Sequence, residues 1–492
     1  MYNSILHFIE NDIKKIEKVL AGILTGEKDA DDLSQEVTST LNNLACNWIG
    51  EMYEKLDEEI RTSVERKKKW NIEKRNEPKE ILDIAGTIRF NRTGYVDKKT
   101  GKYIYLLDRI LGIDSHQRLT LGAAANILEE AVLTSYAKGG KAASPKDAAS
   151  KQTVLELLHK TEIEIPEVER KDKKKFRTLH IVADEDHVSA QFWNIKGDLG
   201  VDEKGNKINT IIPKVIVVYE DVINESGENS KKPRYKLVGK RTFCGVYRGE
   251  TANNKLWEKV RDYIVKNYDT DVLERVYIAG DGGGWIKAGI DIIENSRFVL
   301  DRFHMMKYVN KSVAQLENKE DYKSEIWECI NTADKEGLKG IYKEILDKTD
   351  NENKCEDIKG SLRYFINNWS GIQIQVDEAG DCWKCCAEGQ VSHILSARMS
   401  SRPMGWSEWG CHQMSKLRAY NKNGGKVIDL LKYQKNKKKK QQQLKEQEDL
   451  IKELRKKQSG WEYAEKTNAA IPGISKHSMK WLRNMIWDGF GA

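Results

Sequence analysis

Asp184 closes an apolar run, Ile181-Val182-Ala183-Asp184-Glu185-Asp186-His187. Asp281 closes another, Val276 to Ala279, with Gly282, Gly283 and Gly284 directly behind it. A carboxylate at the end of a buried strand is costly unless it is paired or bound to a metal. The carboxyl ends of strands are the usual address of an active site in α/β folds, and glycines let backbone approach a ligand or another strand closely. Two such Asp plus a third carboxylate suit a pair of Mg²⁺ ions, which favour hard oxygen ligands and leave positions for water or phosphate. Ions about 4 Å apart would activate a water or a 3′-hydroxyl on one side of a phosphodiester and stabilise the leaving oxygen on the other. Spacing alone leaves a plainer alternative open, in which Asp184 caps a strand and Asp281 begins a turn. The glycines do not make a nucleotide loop: Trp285 stands where G-x-G-x-x-G needs its last glycine, and no G-x-x-x-x-G-K-[ST] occurs there.

The elements that must position these residues follow from periodicity. Leu179–Gln191, Ile211–Val222 and Tyr235–Tyr247 read as three strands, with an exposed loop at Asn224–Pro233. A helix follows, with Leu256, Val260, Tyr263 and Ile264 on one face, then a strand at Val276–Ala279, a helix near 285–294 and a short strand at Phe298–Leu300 ending on Asp301. That order is an α/β pattern and not a bundle. Residues 305–380 read as all-helical. Upstream, residues 1–75 read as helical, the second helix ending in the basic run Arg66-Lys67-Lys68-Lys69-Trp70. That run is either a solvated helix end or a phosphate contact. Gly86–Arg92 and Lys102–Leu106 form a predicted hairpin around Asp97–Gly101, and a helix is predicted near 121–137. A second helix opens on Ser150, Lys151, Gln152 and Thr153, with Ser150 as its N-cap. The pair could present Ser150, Lys151 and Gln152 to DNA as a helix-turn-helix, although the long connector fits an ordinary helical pair as well. Residues 169–177 read as a basic linker and 435–457 as a charged helix or tail.

The bulk numbers bound the class. At 492 residues the chain holds two to four folding units. It is 39% hydrophobic and 32% charged, and its 83 Lys and Arg exceed its 76 Asp and Glu by only seven. The clustering of basic residues therefore says more than the sum. No apolar run approaches the ~18–20 residues that span a bilayer, and the first residues lack a basic, then apolar, secretory leader. A cytoplasmic protein with eight reduced cysteines is expected. Cys382, Cys385 and Cys386, with His393, Cys411 and His412 beyond, suggest zinc at first sight. Cys411 and His412 are adjacent, however, which is poor ligand spacing, so thiols near the site are the better reading. Of the tryptophans at 193, 257, 285, 383, 406 and 409, most are expected in the core, with one or two free to stack on an unpaired base.

Several segments in order carry a resemblance: Tyr103-Ile-Tyr-Leu-Leu-Asp108, Ser150-Lys-Gln-Thr153, Ala183-Asp-Glu-Asp-His-Val188, Gly280-Asp-Gly-Gly-Gly-Trp285, Leu300-Asp-Arg-Phe-His304, Ala387-Glu-Gly-Gln-Val-Ser-His393 and Leu395-Ser-Ala-Arg-Met-Ser-Ser-Arg-Pro-Met-Gly-Trp406. With these the sequence resembles the ISLre-type insertion-sequence transposases, a bacterial family related to the Mutator-like group. The resemblance covers most of the chain and is most specific over 387–406.

It implies a mixed α+β fold: an RNase H-like mixed-sheet catalytic core, interrupted by an all-helical insertion and preceded by a mostly helical DNA-binding region. The implied parts are an N-terminal helical region (1–75), a hairpin plus helix-turn-helix-like region (76–168), the first part of the core (178–304), the insertion (305–380), core completion (381–420) and a basic C-terminal region (421–492). It implies a DDE triad of Asp184, Asp281 and Glu388, spaced 97 and 107 residues apart. These would hold two Mg²⁺ or Mn²⁺ ions. Asp186 rivals Asp184 for the first place, and Glu408 is a weaker rival for the third. Asp301 and His304 match the D-x-x-H signature of the wider group; His304 would touch the scissile phosphate or position a strand, and Asp301 would orient it. Arg398 and Arg402 are candidate DNA contacts, since guanidinium forks suit phosphate, or else ion-pair partners in the core. The implied partners are the element's terminal inverted repeats and target DNA, bound by a homodimer or higher assembly at the nucleoid, with no membrane. A nuclease that cuts without joining, and a non-catalytic DNA-binding descendant, are the rival readings.

Overall fold

The computed structural model describes residues 2–164, 167, 169–192, 201, 209–226, 234–381, 387–401 and 404–445. Residues 1–431 form one compact unit and 432–492 a second. Of the second, the described residues 432–445 are helical.

The first unit opens with helices Asn3–His7 and Ile13–Thr25 and the long helix Ala30–Thr62. Asp29 starts the long helix through a reciprocal cap with Asp32, each side chain accepting the other's backbone N–H. The sequence pattern carries this helix on to Trp70. The chain instead breaks at Ser63, whose hydroxyl caps the short helix Val64–Lys69, and Trp70 opens a strand. That strand, β1 (Trp70–Asp83), is missed by periodicity because its first half is polar and largely exposed. It is held by antiparallel pairing along β2 (Gly86–Asp97), which pairs in turn with β3 (Tyr103–Tyr105). The Asp97–Gly101 turn between β2 and β3 lies where turn chemistry predicts it. The long helix packs on β2: buried Asp57 accepts from the Thr93 N–H and hydroxyl, and Gly50 approaches Arg89 so closely that a Cβ would lie 2.4 Å from its carbonyl.

Helices Leu121–Leu133, Tyr136–Lys141 and Lys151–Lys160 follow. Thr120, Ser135 and Ser150 cap them in turn. The middle helix fills the long connector that the sequence leaves between two helices, so the group is a trihelical cluster.

The central sheet is built from β4 (Thr178–Glu185), β7 (Pro213–Tyr219), β10 (Arg241–Val246), β11 (Arg275–Gly280) and β12 (Ser296–Leu300), in the order β10-β7-β4-β11-β12. Strand β7 is antiparallel to both β10 and β4, whereas β4, β11 and β12 are parallel. Two small hairpins stand apart from it: β5 (Val188–Ser189) with β6 (Thr210–Ile211), and β8 (Asp221–Asn224) with β9 (Tyr235–Val238). The single strand expected over 235–247 is therefore two, broken at Gly239, whose φ of 62° only glycine adopts readily.

Both faces of the sheet are covered. Leu179, Ile181, Ala183, Ile216, Val218, Val276, Ile278, Phe298 and Leu300 pack under helix Glu250–Asn267 and the helices that follow β12. Those helices are Arg302–Val313, Lys319–Asn331, Lys335–Asp347, Glu352–Asn367 and Trp369–Asp377. Val182, Val215, Val217, Tyr277, Ala279 and Val299 face the other way, toward Val391, Ile394, Leu395 and helix Glu408–Lys422. Buried Arg418 ties this second layer down, donating to Val132 and His393 carbonyls at 2.7 and 2.9 Å.

Across the middle of the sheet, His180 is stacked between Tyr219 and Tyr277 at ring distances of 5.3 and 5.7 Å. Burial pushes its imidazole down to about 4, against a smaller upward pull from Asp221 and Asp381. A neutral folded imidazole that protonates when unfolded loses its stabilising contribution as pH falls from about 6.5 towards 4. His180→Phe keeps the stack and removes the titration. The stability lost between pH 7 and pH 5 is expected to be about 2 kcal/mol smaller in the variant than in the parent chain, read from urea midpoints. Equal losses would show that the ring does not titrate in this way.

Candidate active site

Side-chain alternation and register build the site. Along β4, His180, Val182 and Asp184 face the layer that contains Val391 and helix Glu408–Lys422. Val182 pairs with Ala279 of β11, and Ala279 pairs with Val299 of β12. Two residues further along each strand stand Asp184, Asp281 and Asp301. Three carboxylates therefore form one row across three adjacent parallel strand ends, with strands about 4.8 Å apart. The Asp301 N–H donates to the Gly280 carbonyl at 2.9 Å, which carries the β11–β12 ladder up to the row.

The row is crowded with negative charge. Asp184 is only 5% exposed. Its carboxyl is pushed up to about 6, chiefly by burial and further by Asp281 and Asp301. The Glu185 N–H, 2.8 Å from its Oδ1, and His304 pull the other way. Asp281 Oδ1 accepts the Gly283 N–H at 2.8 Å. Asp301 caps helix Arg302–Val313 by accepting from Phe303 N, and its Oδ2 lies 3.2 Å from His304 Nδ1. Burial would push His304 down, but the bond to Asp301 and the charges of Asp184, Asp301 and Asp281 together raise it. The row thus favours the protonated form of His304.

The glycines behind Asp281 serve close packing. A Cβ on Gly280 would sit 2.8 Å from the Ala183 carbonyl, so β11 reaches β4 only without one. Gly282 has φ 92°, and a Cβ there would meet Asn368 Oδ1 at 2.3 Å. Asn368 follows helix Glu352–Asn367 and is buried; its Nδ2 donates to Tyr364 O, while its Oδ1 has no partner among the described residues. The Tyr364 hydroxyl is likewise buried without a partner. Its pKa is raised by burial and then by Asp281, Tyr308, Asp301 and Asp184, and its ring stacks on Tyr308 at 3.8 Å. Tyr364 and Asn368 are neighbours of the row that the sequence does not announce. They lie inside a helical stretch that reads as core, and no motif marks them.

The other expected residues fall in several places. Glu388 belongs to helix Ala387–Val391, which packs against β4 on the side of the row; its side chain lies outside the described residues. Asp186, the rival to Asp184, is spent on the second layer: its Oδ2 accepts from Ser396 and Ser400 at 3.0 and 2.8 Å. Glu408 is exposed and pairs with Arg248 at 3.1 Å. Of the two places left open for Arg398, against phosphate or in the core, the structure has it in the core. It is 3% exposed, donates to the Ala131 carbonyl and lies over the rings of Tyr136 and Trp406, so it joins the trihelical cluster to the second layer. Arg402, Cys382, Cys385, Cys386, Trp193 and Trp383 lie outside the described residues. Ser150, Lys151 and Gln152 are exposed at a helix start, Ser150 accepting from Thr153 N and Gln152 donating to Glu156. Cys411 is buried, its thiol pushed up to about 12 by burial, which makes it a poor ligand or nucleophile.

Among the described residues, no group of three or more His, Cys, Asp or Glu side chains could hold a metal ion by itself. The donor types in the row are nevertheless those that a hard divalent cation takes. Asp184 and Asp281 offer carboxylate oxygens on neighbouring strand ends, and the burial that raises Asp184 is a cost that a cation would relieve. Magnesium needs only one or two protein carboxylates when substrate phosphates complete its shell. No helix among the described residues is long and apolar enough to cross a membrane.

Residues 27–439 match the model of an uncharacterised protein family, UPF0236. UPF0236 protein TTE2489 of Caldanaerobacter subterraneus subsp. tengcongensis is 36% identical over 421 residues, covering 85% of this chain and 84% of the relative. A second relative from the same organism, at the same identity and coverage, has a name that joins eleven labels of one strain. Among solved structures, a chain of the Drosophila P element transposase strand transfer complex aligns over 66% of this chain and 83% of its own length. Its TM-score is 0.21 and its identity 12%, values too low to carry an argument. Over most of its length, then, the chain belongs to the uncharacterised family UPF0236.

Proposed function

We propose that the chain is a DDE transposase of an insertion sequence, binding terminal inverted repeats and carrying out metal-dependent strand cleavage and strand transfer. The observation that carries this reading is the row of Asp184, Asp281 and Asp301 across three adjacent strand ends, on the sheet face against which the helix bearing Glu388 packs. The strand order supports an RNase H-like core: three antiparallel strands, then two parallel to the first, with β4 central. The helices after β12 would be the insertion between the second Asp and the Glu. A relative bearing eleven labels within one strain fits a sequence that copies itself.

Asp184, Asp281 and Glu388 would hold Mg²⁺ or Mn²⁺. The bound ions would activate the attacking oxygen and stabilise the leaving one. Asp301 fixes the His304 ring, which would then donate to a phosphate oxygen entering the row. Tyr364 and Asn368 wall the Gly282 side. In cleavage, water attacks the phosphorus at the element end; the P–O3′ bond breaks and leaves a free 3′-hydroxyl. In joining, that hydroxyl attacks a target phosphodiester, forming one P–O bond and breaking another, so no external energy source is needed. No protein nucleophile takes part. Two ends joined at one target imply at least two copies of the chain on DNA.

The test is incubation of the purified chain with labelled duplexes from the boundaries of its own element, a supercoiled plasmid and Mg²⁺ or Mn²⁺. Boundary cleavage together with plasmid-joined label is the expected result. Cutting without joining would move the reading to an RNase H-like nuclease. Binding with neither product would move it to a non-catalytic DNA-binding protein.

A further inference from the structure

The N-terminal sheet gathers basic residues from two separate stretches of chain. Arg66, Lys67, Lys68 and Lys69 end the helix before β1, with Lys74 and Arg75 along β1. Lys98, Lys99 and Lys102 lie in the turn between β2 and β3. Trp70 pairs with Asp97, so both stretches meet at one end of the hairpin. They are bonded there: Lys98 N donates to the Lys69 carbonyl at 3.0 Å, and Lys98 Nζ to the Lys67 carbonyl at 2.6 Å. Residues 66–75 and 97–102 together hold nine Lys and Arg against Glu73 and Asp97, a net +7 that equals the charge of the whole chain.

Two of the nine are ion-paired to acids that flank the counted stretches. Glu65 pairs with Lys68 at 3.0 Å and Glu77 with Lys74 at 3.6 Å, and the Asp97 carboxylate accepts the Lys99 and Thr100 N–H groups at 2.9 Å. Lys67, Lys69, Lys99 and Lys102 are exposed and have no ion pair among the described residues. Such crowding of like charge costs energy unless a polyanion meets it. Double-stranded DNA presents one charge per about 1.7 Å and releases counterions when phosphates are neutralised.

The geometry points to this end of the β1–β2–β3 hairpin as a docking surface for the sugar–phosphate backbone of duplex DNA, with Lys67, Lys69, Lys99 and Lys102 as its contacts. This deepens the reading above, on which it rests for its choice of polyanion. The surface reads phosphates and not bases, so it holds any duplex and leaves end recognition to other parts of the chain.

The experiment uses the full chain and a fluorescent random-sequence 30-base-pair duplex, in EDTA, across a salt series. Neither end recognition nor cutting is needed for this readout, so its failure and a failure of the transposase reading are told apart. The variant carries Lys67→Ala, Lys69→Ala, Lys99→Ala and Lys102→Ala. A control carries Lys319→Ala, Lys339→Ala, Lys343→Ala and Lys359→Ala, with the same change in net charge. The hairpin variant is expected to lose at least ~100-fold in affinity near 0.1 M salt, and its log–log salt slope should fall by about 3 to 4. The control should stay within a few-fold of the parent. An unchanged hairpin variant, an equal loss in the control, or a loss seen only with single-stranded RNA would overturn the proposal. Unchanged thermal melting of both variants secures the comparison.

Discussion

Asp281→Asn is expected to lower cleavage and joining at least ~10³-fold, read as single-turnover rates on boundary duplexes. Asp281 stands in the middle of the carboxylate row, between Asp184 and Asp301 on the flanking parallel strands. The amide keeps an oxygen for the Gly283 N–H, so the loop behind it is preserved and only charge is lost. A single ligand to ions that activate one oxygen and stabilise another should be worth about 4 kcal/mol of barrier, and each 1.36 kcal/mol is tenfold in rate. Mn²⁺ titration supplies a readout apart from activity: the parent should bind and the variant should bind at least ~10-fold more weakly. A variant that keeps more than a tenth of the parent rate would remove Asp281 from the proposed chemistry.

Asp184→Asn should separate stability from activity. The folded carboxyl titrates near 6 and the unfolded one near 3.8, so the folded state binds more protons between those values. Its ionised form is therefore a cost that is fully present above about pH 6 and vanishes below about pH 4. The neutral amide removes that cost. Asp184→Asn should be stabilised by about 3 kcal/mol at pH 7 in metal-free buffer, with the gain shrinking as pH falls towards 4. Millimolar Mn²⁺ should raise the melting temperature of the parent and leave the variant unmoved. The variant should neither cleave nor join. A destabilised Asp184→Asn at pH 7 would mean that the carboxylate is well compensated in the fold. This sign is opposite to that of His180 two rows away, so the two substitutions tilt the pH profile in contrary directions.

Much of the central sheet was legible because its strands are buried on both faces and read as apolar runs. Val276–Ala279 and Phe298–Leu300 fall inside the observed strands β11 and β12, each followed by an acid. The N-terminal sheet was half legible. β2 alternates, but β1 is polar and depends on its partner, which a single-strand pattern cannot express. Gly239 divided one expected strand into two because a break by backbone angle leaves little trace in hydropathy. At the site, Asp184, Asp281, Asp301 and His304 stand out by position at strand ends, and the structure brings them together. Tyr364 and Asn368 could not be read, since they approach through packing of a distant helix and not through local spacing. Arg398 kept two readings in the sequence, because an arginine beside serines looks the same whether its guanidinium meets phosphate or lies in the core, where the structure has it donating to a buried carbonyl.

The contact between Gly282 and Asn368 bears on how the chain could be shortened. The helices after β12 look like a detachable ornament, because strands β4, β11 and β12 are complete without them. Yet the loop behind Asp281 is braced by a side chain from the far end of those helices, and Gly371 rests on Phe298 and Leu300 of β12. A miniature made by splicing residue 301 to residue 387 would keep every acid of the row and lose the wall that shapes it. Trimming has to come from the tips of helices Lys319–Asn331 and Lys335–Asp347, which stand farther along the chain from that brace.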